Sequence, residues 1–369
     1  MSYNTAYKRW SGVGPYYAMF PLSFVNEIVE NFTRRGQRIL DPFAGRASSV
    51  FAGAASGRPS IGIEINPVGW IYGKTKLAPA SADDVRDRLD EIVQIAQSLS
   101  SGAGNELSEF FHLCFSESSL RFLIAARNNL DWRRIKVDRT LMALILVDLH
   151  GVRARSFSNQ MRQTKAMSPE YSVNWWSERG LTPPHIDPKE LLEKKIKWRY
   201  AKGIPETAKS SMWLGDSCQL LKRIQQQMIN DNNSKRFKLL LTSPPYIGLS
   251  DYHRDQWLRL WMLGGEPDYR RSEGKYKGRF ASQTDYKKLL SNIFFQSAEM
   301  MSQSGYVYVR TDAREQTFEI THEVLKTAFP RWREQIIDCP YSKNTQTALY
   351  GDKTKKPGER DIILRGPRA

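Results

Sequence analysis

Strand-length apolar runs recur along this chain near residues 37–40, 60–65, 212–215, 237–242, 305–310, 333–338 and 360–365, with helical spacing in most of the stretches between them. The run FKLLLT at 237–242 carries three consecutive leucines after a phenylalanine, the pattern of a strand buried inside a sheet. A helix is predicted over Leu22–Phe32, where Phe24, Val25, Ile28, Val29 and Phe32 fall on one side. Another covers 81–99: Val85, Leu89, Ile92, Ala96 and Leu99 repeat at spacings of four and three, and Ser81 can cap it with Asp84 three residues on. Helices are also predicted over 117–130 and 139–150, and the greasiest stretch, 141–147, suits a buried helix. Strands alternating with helices predict an α/β chain. Far more residues separate Glu64 from Trp213 than one crossover needs. The expected organisation is therefore a domain made of 1–80 and 206–369, interrupted by a helical, basic insertion at 81–205.

The buried run at 237–242 leads directly into Ser243-Pro244-Pro245-Tyr246. The carboxyl end of a strand is where open α/β sheets bind ligands. Two prolines fix φ and remove donors, which leaves the carbonyls of Ser243 and Pro244 as outward acceptors, with the Ser243 hydroxyl beside them and the Tyr246 ring next in line. That is a receptor for a flat molecule bearing an NH2 group. A lone Pro-Pro-Tyr ends a strand for purely structural reasons about as often, but this one has company. Arg38-Ile39-Leu40 runs into Asp41-Pro42-Phe43-Ala44-Gly45-Arg46-Ala47, Ile61-Gly62-Ile63-Glu64-Ile65-Asn66 follows, and Trp213-Leu214-Gly215-Asp216-Ser217 comes later. A strand ending in an acid, a turn with a glycine, and an acid at the next strand end follow the logic of a nucleoside site, in which a carboxylate grips ribose hydroxyls. No G-x-G-x-x-G or G-x-x-x-x-G-K accompanies them, so no phosphate cradle is indicated.

Together these segments resemble the S-adenosylmethionine-dependent amino-methyltransferases of DNA, which methylate an exocyclic nitrogen of cytosine or adenine. The resemblance implies a Rossmann-like fold with a mostly parallel seven-stranded sheet, closed by an antiparallel hairpin from 333–338 and 360–364. It implies S-adenosylmethionine as cofactor, with Asp41 and Gly45 near the methionine moiety, Glu64 on the ribose and Asp216 near the adenine amino group, and with Pro42, Phe43, Ile65 and Ser217 as further cofactor-binding residues. Tyr16, Tyr17 and Met19 would close over it, although the same residues suit an ordinary core. Many relatives carry a second glycine where this chain has Ala47. Ser243, Pro244, Pro245 and Tyr246 would form the catalytic corner, receiving a base flipped out of double-stranded DNA. Serine at the head of the motif leans toward cytosine N4. Adenine N6, an RNA amine, and a catalytically inactive DNA-binding relative stay open as alternatives, and a cognate restriction endonuclease is the expected partner.

Composition agrees with a polyanionic substrate: 55 Lys and Arg against 39 Asp and Glu give a formal charge of +16. Arg153, Arg155, Arg162, Lys165 and Arg179, then Lys194, Lys195, Lys197, Arg199 and Lys202, are interleaved with Phe157, Tyr171, Trp175, Trp176, Trp198 and Tyr200. Cations among aromatic surfaces suit a nucleic-acid groove, and a solvated helix face is the plainer account of part of this run. Arg270, Arg271, Lys275 and Lys277 form a rival basic loop, and Asn159, Gln160 and Gln163 are candidates for reading adenine edges. No apolar run reaches membrane-spanning length and no signal peptide is visible, so a cytoplasmic, nucleoid-associated protein is expected. Cys114, Cys218 and Cys339 form no CxxC pair and the histidines have no metal-binding spacing, so no metal is expected. Methylation at cytosine carbon five would need a thiolate near the motif, and none lies close to Tyr246.

Overall fold

The strands Arg38–Asp41 (β1), Ser60–Glu64 (β2), Ser211–Leu214 (β3), Phe237–Thr242 (β4), Met301–Asp312 (β5), Arg333–Cys339 (β6) and Glu359–Arg365 (β7) form one sheet in the order β3-β2-β1-β4-β5-β7-β6. β1 to β5 run parallel, and β7 lies antiparallel to both β5 and β6. This is a Rossmann-like α/β sheet with an antiparallel closing hairpin, as the sequence led us to expect. The structure is a computed structural model, and it describes residues 3–15, 20–230, 236–247, 254–269, 281–340 and 358–368.

Alternation along the strands explains why both faces of the sheet are covered. Leu40 and Leu240 point into one core with Ile63, Val307, Leu221, Tyr286 and Leu290. Their neighbours Ile39, Leu239 and Leu241 point into the other with Tyr308, Ile363, Val25, Ile28 and Val29. The second core therefore buries the apolar side of the helix Leu22–Phe32. From β1 the chain builds β2 and β3 to one side and β4 and β5 to the other, which makes the gap between β1 and β4 the topological switch point. Both catalytic-motif candidates and candidate cofactor acids come from strand ends at that edge.

The chain divides into two compact units: 18–73, 206–250 and 275–369, which hold the sheet, and 1–17, 74–205 and 251–274. Helices make up most of the second unit, which takes in the expected insertion together with 1–17 and 251–274. Its helix Ala82–Ser98 starts where Ser81 Oγ accepts the Asp84 amide at 3.1 Å, and it buries Val85, Leu89, Ile92 and Ala96. In Lys136–Asp148 every residue from Leu141 to Val147 is buried, because other helices pack on more than one side of it. Among the described residues, no helix is long and apolar enough to cross a membrane and no three potential metal ligands cluster.

Candidate functional site

Asp41 closes β1 and is buried. Thr242 Oγ1, at the end of β4, donates to its Oδ1 at 2.6 Å, and the Phe43 amide donates to the same oxygen at 3.1 Å. The Ser49 hydroxyl donates to Oδ2. Burial pushes the Asp41 carboxyl up to about 6, against the pull of these three donors. Both oxygens are thus engaged in holding the turn, and Asp41 organises the site by fixing β4 and the 43–49 segment to β1. Gly45 follows with φ of +52°, and a methyl group added there would meet nothing within 4 Å, so there is open space beside its backbone. Ala47 also adopts a left-handed conformation, with φ of +62°, and is buried. Alanine in this left-handed position costs about 1–2 kcal/mol.

Glu64 closes β2. Its Oε2 accepts the Gly45 amide at 2.7 Å and its Oε1 accepts the Asn66 amide at 2.8 Å. Burial pushes its carboxyl up to about 7, opposed by those amides and reinforced by the charge of Asp41. The Gly215 amide donates to the Glu64 carbonyl at 2.9 Å, joining the end of β3 to that of β2. Asp216 is buried at the start of the helix Ser217–Asn230, where its Oδ1 accepts the Cys218 amide at 3.1 Å. Ser217 Oγ donates to the Pro42 carbonyl at 2.5 Å. Pro42, Phe43, Gly45, Glu64, Ile65, Asp216 and Ser217 are thus gathered along the carboxyl edge of β1, β2 and β3. Tyr16, Tyr17 and Met19 lie outside the described residues. Asn66 and Thr242 were given no role from sequence, although Asn66 ends the segment that holds Glu64 and Thr242 directly precedes Ser243.

On the far side of the switch point, β4 ends in Ser243-Pro244-Pro245-Tyr246. Ser243 is half-buried and its Oγ stands 3.5 Å from Tyr246 Oη, while Tyr246 is 8% exposed. Tyr246 Oη donates to Glu359 Oε1, on β7, at 3.3 Å. Arg310 Nη1 on β5 lies 3.5 Å from Glu359 Oε2, and Arg310 grips Asp361 with two bonds of 2.6 and 2.7 Å. Tyr308 Oη adds a third bond to Asp361, at 2.6 Å. Burial pushes the Glu359 carboxyl up, and Arg310 and the Tyr246 hydroxyl draw it back down. This array was not read from sequence, where 360–365 carried only the signature of a terminal strand.

Residues 2–68 match the family model described as DNA methylase. The match ends just past Glu64. The chain is similar to the Type II methyltransferase M.BsoBI of Geobacillus stearothermophilus, 27% identical over an alignment of 271 residues that covers 66% of this chain and 51% of the relative. It thus spans about half the length of that curated protein. Solved structures with some likeness include TrmN from Thermus thermophilus, at 9% identity and a TM-score of 0.33, covering 98% of this chain and 52% of that one. A putative SAM-dependent methyltransferase from Streptococcus mutans shows 10% identity and a TM-score of 0.36, covering 93% of this chain and 48% of that one.

The basic candidates fall in the helical unit. Arg153, Arg155 and Arg162 are exposed, and Arg153 donates from Nε and Nη2 to the Thr182 carbonyl at 3.4 and 3.2 Å. Lys165 is paired with Asp255 at 2.6 Å. Arg270, Arg271, Lys275 and Lys277 lie outside the described residues. Of three amides expected to read base edges, Asn159 alone is taken up by packing. Asn159 is fully buried and donates to the carbonyls of Leu113 and Leu181, Gln160 Oε1 accepts the Arg153 amide, and Gln163 Nε2 donates to the Val147 carbonyl. Burial also claims Phe157, Trp176 and Arg199 from the expected groove, because they pack inside the unit that the basic segment belongs to.

Proposed function

We propose that this protein is an S-adenosylmethionine-dependent methyltransferase of the DNA amino-methylase kind, acting on the N4 amino group of cytosine in double-stranded DNA. The observation that carries the reading is the Thr242 to Asp41 bond at the switch point, which sets the Ser243-Pro244-Pro245-Tyr246 corner beside the acid-and-glycine turn. The DNA methylase match over 2–68 and the similarity to a Type II methyltransferase support it. So does the fit of the site to the cofactor. Open space lies beside Gly45, Glu64 and Asp216 carry carboxyl oxygens at the strand ends, and Phe43 carries a ring.

When bound, the cofactor supplies an electrophilic methyl group on a cationic sulfur. Glu64 would accept from its ribose hydroxyls, and the turn at Gly45 would admit its amino-acid end. The work of the corner follows from the chemistry of an aromatic amine, whose lone pair is delocalised into its ring. Ser243 Oγ and the Pro244 carbonyl accept its two N–H hydrogens, which localises the lone pair and aims it. A base stacked in a duplex cannot reach such a corner, so it is everted, and Tyr246 stacks on it. Exposed Arg153, Arg155 and Arg162 carry part of the phosphate contact. A partner restriction endonuclease belongs to the same reading, in keeping with the similarity to a Type II methyltransferase.

The test is direct. Incubate the protein with methyl-labelled S-adenosylmethionine and double-stranded DNA, digest to nucleosides, and identify the labelled one. N4-methylcytosine is expected, lost in Ser243→Ala and Tyr246→Ala with folding kept. Label in N6-methyladenine or only in RNA moves the substrate, and no label in any nucleic acid ends the proposal.

A further inference from the structure

We infer that Glu359 is the terminal acceptor of the proton released by the reaction at the Ser243 corner, reached through the hydroxyls of Tyr246 and Ser243. The inference rests on the methyl-transfer reading above. As the amine nitrogen forms its bond to carbon, the carbon–sulfur pair stays on sulfur as a neutral thioether, and the positive charge passes to nitrogen. That nitrogen must then lose a proton. Serine is a poor base on its own and needs somewhere to send the charge. Here Ser243 Oγ takes the proton from nitrogen while its own passes to Tyr246 Oη, and the tyrosine's passes to Glu359 Oε1. The neutral methylated amine and a protonated Glu359 remain.

Three observations support the route. The atoms lie in sequence, Ser243 Oγ to Tyr246 Oη at 3.5 Å and Tyr246 Oη to Glu359 Oε1 at 3.3 Å, spacings that shorten when a catalytic site closes on its substrate. The route ends on a carboxyl group whose other oxygen faces Arg310 at 3.5 Å, a contact that favours its ionised, proton-accepting form. The register also places Glu359 at the active edge, opposite Asp312 on β5 and Cys339 on β6. Asp312 and Asp361 add negative charge around it, and burial raises its affinity for a proton further. The Glu359 side chain is 33% exposed, so the proton can leave for solvent between turnovers.

The experiment uses the full chain with wild type, Tyr246→Phe, Glu359→Gln and the double variant. Phe keeps the ring that stacks on the base and removes only the hydroxyl. Single-turnover methyl transfer is expected to fall at least about tenfold in each single variant, with KM for DNA and cofactor unchanged and the double variant no slower than the singles. The wild-type rate should also lose activity toward acid with a midpoint above the ordinary glutamate range, and that limb should vanish in Glu359→Gln. A second measurement needs neither cofactor nor DNA: the 13C-labelled carboxyl of Glu359 should titrate higher in Tyr246→Phe, because the hydrogen bond that favours its ionised form is gone. Tyr246→Phe at the wild-type rate with the acid limb intact, or singles whose losses multiply in the double, overturns the relay. Wild type that methylates no nucleic acid overturns the functional reading instead. The carboxyl titration still tests the Tyr246 to Glu359 contact in that case.

Discussion

Thr242 Oγ1 donates to Asp41 Oδ1 across 2.6 Å, with both side chains buried, so one hydrogen bond ties the carboxyl end of β4 to that of β1 at the switch point. Replacing the hydroxyl by a methyl leaves a buried carboxyl short of a donor, which costs about 1–3 kcal/mol. Thr242→Val is therefore expected to unfold at lower urea concentration at pH 7, and Thr242→Ser to stay near wild type. Equal midpoints for Val and wild type would show that the bond contributes nothing.

The same bond also fixes where the Ser243-Pro244 corner sits relative to the turn. Thr242→Val should accordingly slow methyl transfer by more than its loss of stability explains, measured at a temperature where both variants are fully folded. Circular dichroism establishes the folded fraction, and the rate is then compared at saturating DNA and cofactor.

Glu64 gives a prediction in which stability and affinity move in opposite directions with pH. Its carboxyl titrates at about 7 in the folded protein, above the ordinary value of 4.5. Between those values the folded chain holds a proton that the unfolded chain has lost, so this group's contribution makes stability fall as pH rises through the window and level off above about 7. Acceptance from ribose hydroxyls favours the ionised form, so cofactor affinity should rise over the same range. Calorimetry in buffers of different ionisation enthalpy should record proton release on cofactor binding below pH 7, absent in Glu64→Gln. Proton uptake on binding would contradict the assignment of Glu64 to the cofactor.

How much of this was legible in the chain depended on whether the signal was local. Phe237–Thr242 followed by two prolines announces a strand and its end within a few residues, and Ser81 with the spaced apolar residues after it announces a helix start; both stand where expected. Asn159 was misread because side-chain type says what a residue can bond, and only packing says whether it is buried. Its amide is spent on two backbone carbonyls of its own unit. Glu359 was invisible for a different reason. Its partner Tyr246 lies 113 residues earlier, and only the antiparallel return of β7 beside β5 brings them together.

Gly69 tests the glycine turn from behind. A methyl group there would sit 2.6 Å from the Gly45 carbonyl oxygen and 2.9 Å from Glu64 Cγ, both parts of the candidate cofactor site. Something must shift, and overpacking of this kind costs about 1–3 kcal/mol. Gly69→Ala should weaken cofactor binding, read by calorimetry, while Tyr246 on the other side of the switch point keeps its near-ultraviolet signature. Unchanged affinity would mean that the turn does not touch the cofactor.

The proposed function divides the basic segment into residues that hold the helical unit together and residues that meet DNA. Lys195 belongs to the first kind: its Nζ is 2.7 Å from Asp148 Oδ1, a buried carboxylate that burial pushes up and the lysine pulls down. Removing that partner costs about 1–3 kcal/mol, so Lys195→Ala should lower the melting temperature and leave the salt dependence of DNA binding as it was. Arg155 and Arg162 are exposed in the same unit, and the proposed function puts them against DNA. Every DNA phosphate deprived of its cationic side chain lowers the slope of log affinity against log salt by about 1. Arg155→Ala and Arg162→Ala should therefore flatten that slope at unchanged melting temperature, measured by fluorescence anisotropy over a salt series. A flattened slope in Lys195→Ala together with unaltered slopes in the two arginine variants would reverse this division and move the DNA-binding surface to the helix Pro188–Tyr200.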